Sequence, residues 1–219
     1  MGTRYICLEG TEGVGKTTQT KKLVEYLRSK GNVVLETKEP GTVHSPLTMT
    51  LRGIMLDNQY DKELTMAGRE FISQAIRSIH LERVIKPALE ANVDFIIQDR
   101  GILSGMAYGT GCGNPPQFLA TLSQYIVHTS GIEVAHPGHL YSDVVVLTGN
   151  VGSNTARALA SKQEFETGDA MESRGNDFLT NVSDNMRDMS VMFNSKTVNV
   201  DGKSIDEVFA DILTALNLN

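Results

Sequence analysis

Short apolar runs alternate with longer amphipathic stretches along the whole chain. Apolar residues that recur at helical spacing, such as Ile72, Ile76 and Ile79, predict helices between the runs. The longest such stretch covers residues 61–91, and we expect Pro87 to kink or end it. The runs that predict strands cover residues 5–8, 33–35, 93–97, 144–147 and, more weakly, 196–200.

This alternation predicts an α/β fold, with a five-stranded parallel sheet flanked by helices on both faces. Ligands of such sheets bind at the carboxyl ends of the strands. The last helix has a clear start, because Ser204 and Glu207 form a capping box. We expect Ile205, Val208 and Ile212 to form its buried stripe. At 219 residues, the chain is expected to be one domain, residues 1–219.

Composition narrows the possible partners. The chain is 40% hydrophobic and 21% charged, with a net charge of −6 and no basic block, which disfavours a nucleic-acid-binding protein. The apolar runs are too short to span a membrane. Glu9 interrupts the first of them, so no signal peptide is predicted, and we expect a cytoplasmic protein. Cys7 and Cys112 form no metal-binding pattern.

A phosphate-binding loop follows the first predicted strand. Residues 10–17 read G-T-E-G-V-G-K-T, which matches G-x-x-x-x-G-K-[ST]. Glycines let backbone N–H groups turn inward around an anion, and the next helix adds its positive N-terminal end. Lys16 would reach the β- and γ-phosphates, and the Thr17 hydroxyl would bind Mg²⁺. The residues predicted to bind the phosphates of ATP are Gly10, Thr11, Gly13, Val14, Gly15, Lys16, Thr17 and Thr18.

A second candidate site lies at the end of the third predicted strand, which we place across the sheet from the phosphate loop. There Asp99 could hold Mg²⁺ through water, and Arg100 could grip a second phosphate. A surface salt bridge is the alternative interpretation of such a pair. Ser104 and Tyr108 follow on one face of the next predicted helix. The position of Asp99 and Arg100 at a strand end favours a site for a second substrate over a surface salt bridge.

Four segments in order resemble the thymidylate kinase family. They are the phosphate loop with its flanks at residues 9–19, the triplet Glu39-Pro40-Gly41, the R-x-x-H segment from Arg77 to His80 with the V-I-K-P-A-L run after it, and Asp99-Arg100 with Ser104 and Tyr108. The similarity is good over residues 4–110 and looser beyond. It implies a P-loop NTPase fold with a mobile lid at about residues 157–175 and a homodimer formed through helices such as 69–90.

The resemblance also implies the reaction. Such an enzyme transfers the γ-phosphoryl group of ATP to dTMP, giving dTDP, with Mg²⁺ as cofactor. Arg100 would hold the acceptor phosphate, and Arg77 would contact that phosphate or the pyrimidine edge. Tyr108 would pack against the sugar and reject a 2′-hydroxyl. The residues implied to bind the acceptor nucleotide are Glu12, Glu39, Arg77, Arg100, Ser104 and Tyr108, and those implied in catalysis are Lys16, Glu12, Arg100 and Arg157.

Three departures from the family pattern leave alternatives open. Ser73 stands where the family has a stacking aromatic residue, and Gly105 replaces a polar contact to the base. The lid run expected to read D-R-x-E is D-A-M-E at residues 169–172, so Arg157 is the favoured lid arginine and Arg174 the second candidate. One alternative is a kinase for another deoxypyrimidine monophosphate, such as a 5-modified one. The other is a nucleotide-binding regulatory module with degenerate catalysis.

Overall fold

A computed structural model of the chain describes residues 2–132, 134, 140–154 and 170–219. These residues form a five-stranded, fully parallel sheet with the strand order β2-β3-β1-β4-β5, which confirms the predicted α/β architecture. The strands are β1 (Arg4–Gly10), β2 (Val34–Lys38), β3 (Phe95–Asp99), β4 (Asp143–Thr148) and β5 (Lys196–Asn199).

Helices cover both faces of the sheet. Among the described residues, none of them is long and apolar enough to cross a bilayer. The helices are α1 (Lys16–Ser29), α2 (Pro46–Leu56), α3 (Met66–His80), α4 (Lys86–Glu90), α5 (Ile102–Gly111), α6 (Pro116–Thr129), α7 (Asn176–Ser190) and α8 (Ile205–Leu216).

The helical run that begins at α3 does not end at Pro87. A π-helical turn, Leu81–Ile85, joins α3 to α4, and Pro87 lies in the first turn of α4. A proline lacks a backbone N–H and its ring clashes with the carbonyl four residues earlier. The wider π turn gives that carbonyl room, so the run continues to Glu90.

Two apolar cores lie on opposite faces of the sheet, because alternate residues of a strand point to opposite sides. In β1, Tyr5 and Cys7 join the core formed with α5, α6 and α7, and Ile6 and Leu8 join the core formed with α1 and α8. Because β1 and β3 are adjacent parallel strands, their carboxyl ends lie at the same edge of the sheet.

The register brings the two candidate sites closer together than expected. We placed Asp99 and Arg100 across the sheet from the phosphate loop, but β3 pairs directly with β1, with Leu8 opposite Asp99. Strand order depends on which strands pair over long sequence distances, and local patterns do not contain that information. The second site is therefore a neighbour of the loop.

The helix α8 begins at the capping box that the sequence predicts, with Ser204 and Glu207 bonded reciprocally. Val208 and Ile212 are buried as expected, but the prediction for Ile205 is wrong, since its side chain is 56% exposed. Ile205 is the first residue of the helix and lies at the edge of the cleft beside the phosphate loop. The buried stripe continues instead to Leu216.

Removing the cap should destabilise the protein measurably. Substituting Ser204 by Ala removes the side-chain oxygen that accepts from the backbone N–H of Glu207, which we expect to lower the free energy of unfolding by about 1 kcal/mol. Ser204→Gly, which an N-cap position tolerates, should lose only about 0.3 kcal/mol. Urea unfolding of both variants tests this, and equal losses would contradict the cap assignment.

Candidate active site

The phosphate loop joins β1 to α1 and has the backbone that its glycines allow. Gly13 has φ +73, and a Cβ placed there would lie 1.8 Å from the backbone oxygen of Asn154. Lys16, the first residue of α1, is buried, and its Nζ donates to the backbone oxygen of Thr11 at 2.6 Å. The ammonium group is thereby held over the loop. All the residues predicted to bind phosphates from Gly13 to Thr18 line one cleft.

Burial and, to a smaller extent, the nearby Arg100 lower the pKa of Lys16 to about 8, although the carboxylates of Glu12 and Asp99 oppose this shift. A lysine with a pKa of about 8 is still mostly protonated at neutral pH. Because its side chain is already buried, it loses little further solvation when an anion binds. The loop therefore carries a positive charge that a bound phosphate would stabilise.

Thr17 and Asp99 provide a pair of oxygen ligands beside the loop. The Thr17 hydroxyl donates to Asp99 Oδ2 at 2.7 Å. Asp99 Oδ1 is buried and has no hydrogen-bond partner in the part of the chain that the structure describes. Hydroxyl and carboxylate oxygens are the ligands Mg²⁺ prefers, and an orphaned carboxylate oxygen favours a bound cation. These two residues fit the predicted metal.

Arg100 connects the loop to the second cleft. Its backbone is left-handed, with φ +65, a conformation that costs a non-glycine residue about 1 kcal/mol or more. Its Nη1 donates to the backbone oxygen of Gly10 at 2.9 Å, and its other nitrogen pairs with Glu12. Although burial alone would lower it, the Glu12 carboxylate raises the pKa of Arg100, so the guanidinium stays charged.

The second cleft lies between α2, α3 and α5 and has a cavity volume of about 120 Å³. Glu12 lines both this cleft and the one at the phosphate loop, so the two clefts meet at that residue. All six side chains expected at the acceptor site line the second cleft: Glu12, Glu39, Arg77, Arg100, Ser104 and Tyr108.

Arg77 is held by a buried network on the wall of this cleft. Its Nε donates to Glu39 Oε2 at 3.0 Å, and His80 Nδ1 lies 3.1 Å from Glu39 Oε1. His80 Nε2 is 2.8 Å from the Thr37 hydroxyl, so this histidine is satisfied on both sides. Although burial alone would raise it, Arg77 and His80 lower the pKa of Glu39. His80 thus has a structural role in this network, between Thr37 and Glu39.

Glu9 is a functional residue that sequence reasoning missed. It is fully buried at the end of β1, and its carboxyl group accepts from the backbone N–H groups of Gly101 and Ser104 and from the Ser104 hydroxyl. Gly101 has no side chain to cap α5, so a glutamate from another element caps that helix. Burial raises the pKa of Glu9. The signal in the sequence was the charge itself, because Glu9 directly follows the apolar run of β1 and a buried carboxyl group needs hydrogen-bond donors.

The two lid candidates have different outcomes. Arg157 and most of the predicted lid lie outside the described residues. Arg174 pairs with Asp61 at 3.3 Å and stacks over Phe178, away from the phosphate loop. Nearby, the Ala170 backbone N–H donates to Leu56, and Met171 lines the second cleft. Ala170 and Met171, at the end of the predicted lid segment, therefore pack beside the second cleft.

The parallel sheet and the glycine-rich loop at the end of β1 define the class of the protein, a P-loop NTPase fold. A family model for thymidylate kinase matches residues 8–212. The chain belongs to the thymidylate kinase family.

Relatives with this name match the chain over different lengths. A thymidylate kinase of Rhizorhabdus wittichii is 32% identical over 219 residues, 99% of this chain and 98% of that protein. One of Acinetobacter baylyi is 37% identical over 124 residues, and that match spans 56% of this chain and 60% of the relative. The crystal structure of thymidylate kinase from Ehrlichia chaffeensis has a TM-score of 0.73 at 22% identity, covering 99% of this chain and 100% of that one, and so supports the fold.

The lowered pKa of Lys16 predicts how ATP affinity depends on pH. Below about pH 8 the lysine is already protonated, so the dissociation constant should change little. Above that pH, binding must take up a proton, and the constant should rise by up to about tenfold per pH unit. Calorimetric titration with ATP between about pH 7 and 9.5 measures this. Lys16→Arg, which stays charged, should give a flat profile; a flat profile for the unmodified protein would contradict the prediction.

Proposed function

We propose that this chain is a Mg²⁺-dependent nucleoside monophosphate kinase that transfers the γ-phosphoryl group of ATP to dTMP, giving ADP and dTDP. The observation that carries the proposal is the position of Arg100, which contacts Gly10 and Glu12 of the phosphate loop and also lines the second cleft. A monophosphate held by Arg100 lies next to a triphosphate held by Lys16. A cytoplasmic location, where both substrates occur, belongs to the same proposal.

Catalysis follows from position and charge. An oxygen of the dTMP phosphate bonds to the γ-phosphorus while the bond from that phosphorus to the β,γ-bridging oxygen breaks, and ADP leaves. Lys16 and the N–H groups of the loop stabilise the charge on the donor phosphates. Arg100, fixed by Glu12 and Gly10, keeps the acceptor oxygen in line. No covalent intermediate with the protein is needed.

Other side chains have supporting roles. Thr17 and Asp99 would hold Mg²⁺, directly or through water, and the ion would neutralise charge on the phosphate oxygens when bound. The Tyr108 ring packs 5.4 Å from the Arg100 guanidinium, where it would border the sugar. Glu39 holds Arg77 on the cleft wall. Arg157 remains the favoured lid arginine, because Arg174 is engaged by Asp61.

Loss of the Lys16 ammonium group should abolish transfer while the fold survives. We expect Lys16→Ala to lower the turnover of dTMP with ATP at least about a thousandfold, because the charge on the transferring group loses its nearest counter-ion. Lys22→Ala on the same helix is the matched control, since Lys22 pairs with Asp206 outside both clefts. A coupled assay of ADP release measures both, and a fully active Lys16→Ala protein would refute the proposal.

We propose in addition that the protein is a homodimer formed through the outer faces of α3 and α6. Phe71 on α3 is 56% exposed and Tyr125 on α6 is 63% exposed. Phe118 on α6 makes an edge-to-face contact with Phe71 at 6.4 Å between ring centroids. Aromatic side chains on a shared outer face are typical of a protein interface.

Introducing a charge into this face tests the dimer. We expect Phe71→Glu to shift the protein from dimer to monomer, because the carboxylate would be buried without a partner. Met192→Glu is the matched control, as Met192 is 52% exposed on a different part of the surface. Analytical ultracentrifugation of the three proteins gives the masses, and a Phe71→Glu protein that remains dimeric would rule out this interface.

A further inference from the structure

Two charged side chains of α3 face two glycines of α5 across the acceptor cleft. A Cβ placed at Gly105 would lie 2.6 Å from Arg77 Nη2, and a Cβ placed at Gly109 would lie 2.9 Å from Glu70 Oε2. The two glycines are four residues apart, so they lie one helical turn from each other on one face. Because neither Gly105 nor Gly109 has a side chain, the side chains of Arg77 and Glu70 both have room at the wall of the cleft.

Glu70 is a buried carboxyl group with an open hydrogen-bonding position. Its Oε1 accepts from Gln74 Nε2 at 2.7 Å, and within the described ranges no other side chain bonds it and no cation pairs with it. Burial raises the pKa of Glu70, with smaller opposing effects of Gln74 and Arg77. Its second oxygen, on the wall of the cleft, is thus an acceptor for a ligand N–H.

The two groups belong to one connected network. Gln74 Nε2 lies 3.3 Å from the Ser123 hydroxyl, and Arg77 Nη1 donates to the same hydroxyl at 3.3 Å. These bonds connect the side chains of Glu70 and Arg77 through Gln74 and the Ser123 hydroxyl. A pyrimidine base that enters the cleft therefore meets a donor and an acceptor together.

We propose that Glu70, next to the Arg77 already expected at the pyrimidine edge, accepts a hydrogen bond from the N3–H of thymine and is the residue that excludes cytosine. This rests on the proposed dTMP kinase activity. Arg77 would donate to O4, and Glu70 would accept from N3–H, two neighbouring atoms of the ring. Cytosine reverses both groups: its amine faces the guanidinium and its N3 lone pair faces a carboxyl oxygen. Each mismatch leaves a buried polar group unpaired.

The pair also accounts for two departures from the family pattern. A side chain at Gly105 would collide with Arg77, so that position cannot supply a polar contact while Arg77 keeps this placement. Ser73 lies between Glu70 and Arg77 on α3, and its small side chain leaves the cleft open between them. In this inference, Glu70 selects the base in place of the residues that the family has at positions 73 and 105.

The test is the ratio of kcat/KM for dTMP to that for dCMP. We expect this ratio to fall at least about tenfold in Glu70→Ala, which lacks the acceptor, and in Glu70→Gln, whose amide NH₂ can donate to the N3 of cytosine, since an unpaired buried polar group costs a factor of that size. N3-methyl-dTMP gives the ligand-side comparison, because it lacks the N3–H. It should be a much poorer substrate than dTMP for the unmodified enzyme, and Glu70→Ala should narrow that gap at least about tenfold.

Controls separate the possible outcomes. Glu82→Ala removes an exposed carboxylate from the turn after α3 and should leave the ratio unchanged, and the ATP dissociation constant should be unchanged in every variant. If Glu70→Ala does not fold, Glu70→Gln, which keeps the volume, decides the matter. An unchanged ratio with dTMP still phosphorylated overturns this inference and leaves the proposed function standing. Failure of the unmodified enzyme to phosphorylate dTMP overturns both.

Discussion

The buried carboxyl group of Glu9 is the interaction on which both clefts depend. It belongs to the central strand β1, one residue before the phosphate loop, yet its three donors belong to the start of α5. A buried carboxyl without such partners would be costly, and a helix start without an acceptor would leave N–H groups unpaired. Each element satisfies the other, so the loop and the acceptor helix hold one relative position.

That position explains why Arg100 keeps a left-handed backbone. The residue lies between Asp99, paired in register with β1, and Gly101, whose N–H is bonded to Glu9. With both neighbours fixed, the chain has little freedom at Arg100, and the strain aims its guanidinium back at Gly10. The contact between the proposed donor and acceptor sites is therefore part of the fold itself, which is the preorganisation that the proposed phosphoryl transfer requires.

The parts of the site that the sequence predicted are those with local signals. The phosphate loop, Asp99-Arg100 at a strand end and the capping box of α8 each depend on a few neighbouring residues, and the structure has them where expected. The order of the strands and the exposure of Ile205 depend on packing between distant segments, and the continuation past Pro87 depends on a π-helical turn that side-chain periodicity does not reveal. Helical periodicity cannot tell a core from the wall of a cleft, since both are apolar on one face.

The proposed donor and acceptor halves of the site differ in the same way, in how close together their residues lie in the sequence. The donor half is one loop and the helix after it, so its chemistry is contiguous in the chain. The acceptor half is assembled from Glu39 after β2, Glu70 and Arg77 on α3, and two glycines on α5. Gly105 and Gly109 carry no chemistry of their own, and their importance exists only in contact with α3. If the proposed base contacts are correct, such a site can change its specificity by substitutions that carry no motif in the sequence, while the phosphate loop keeps its motif.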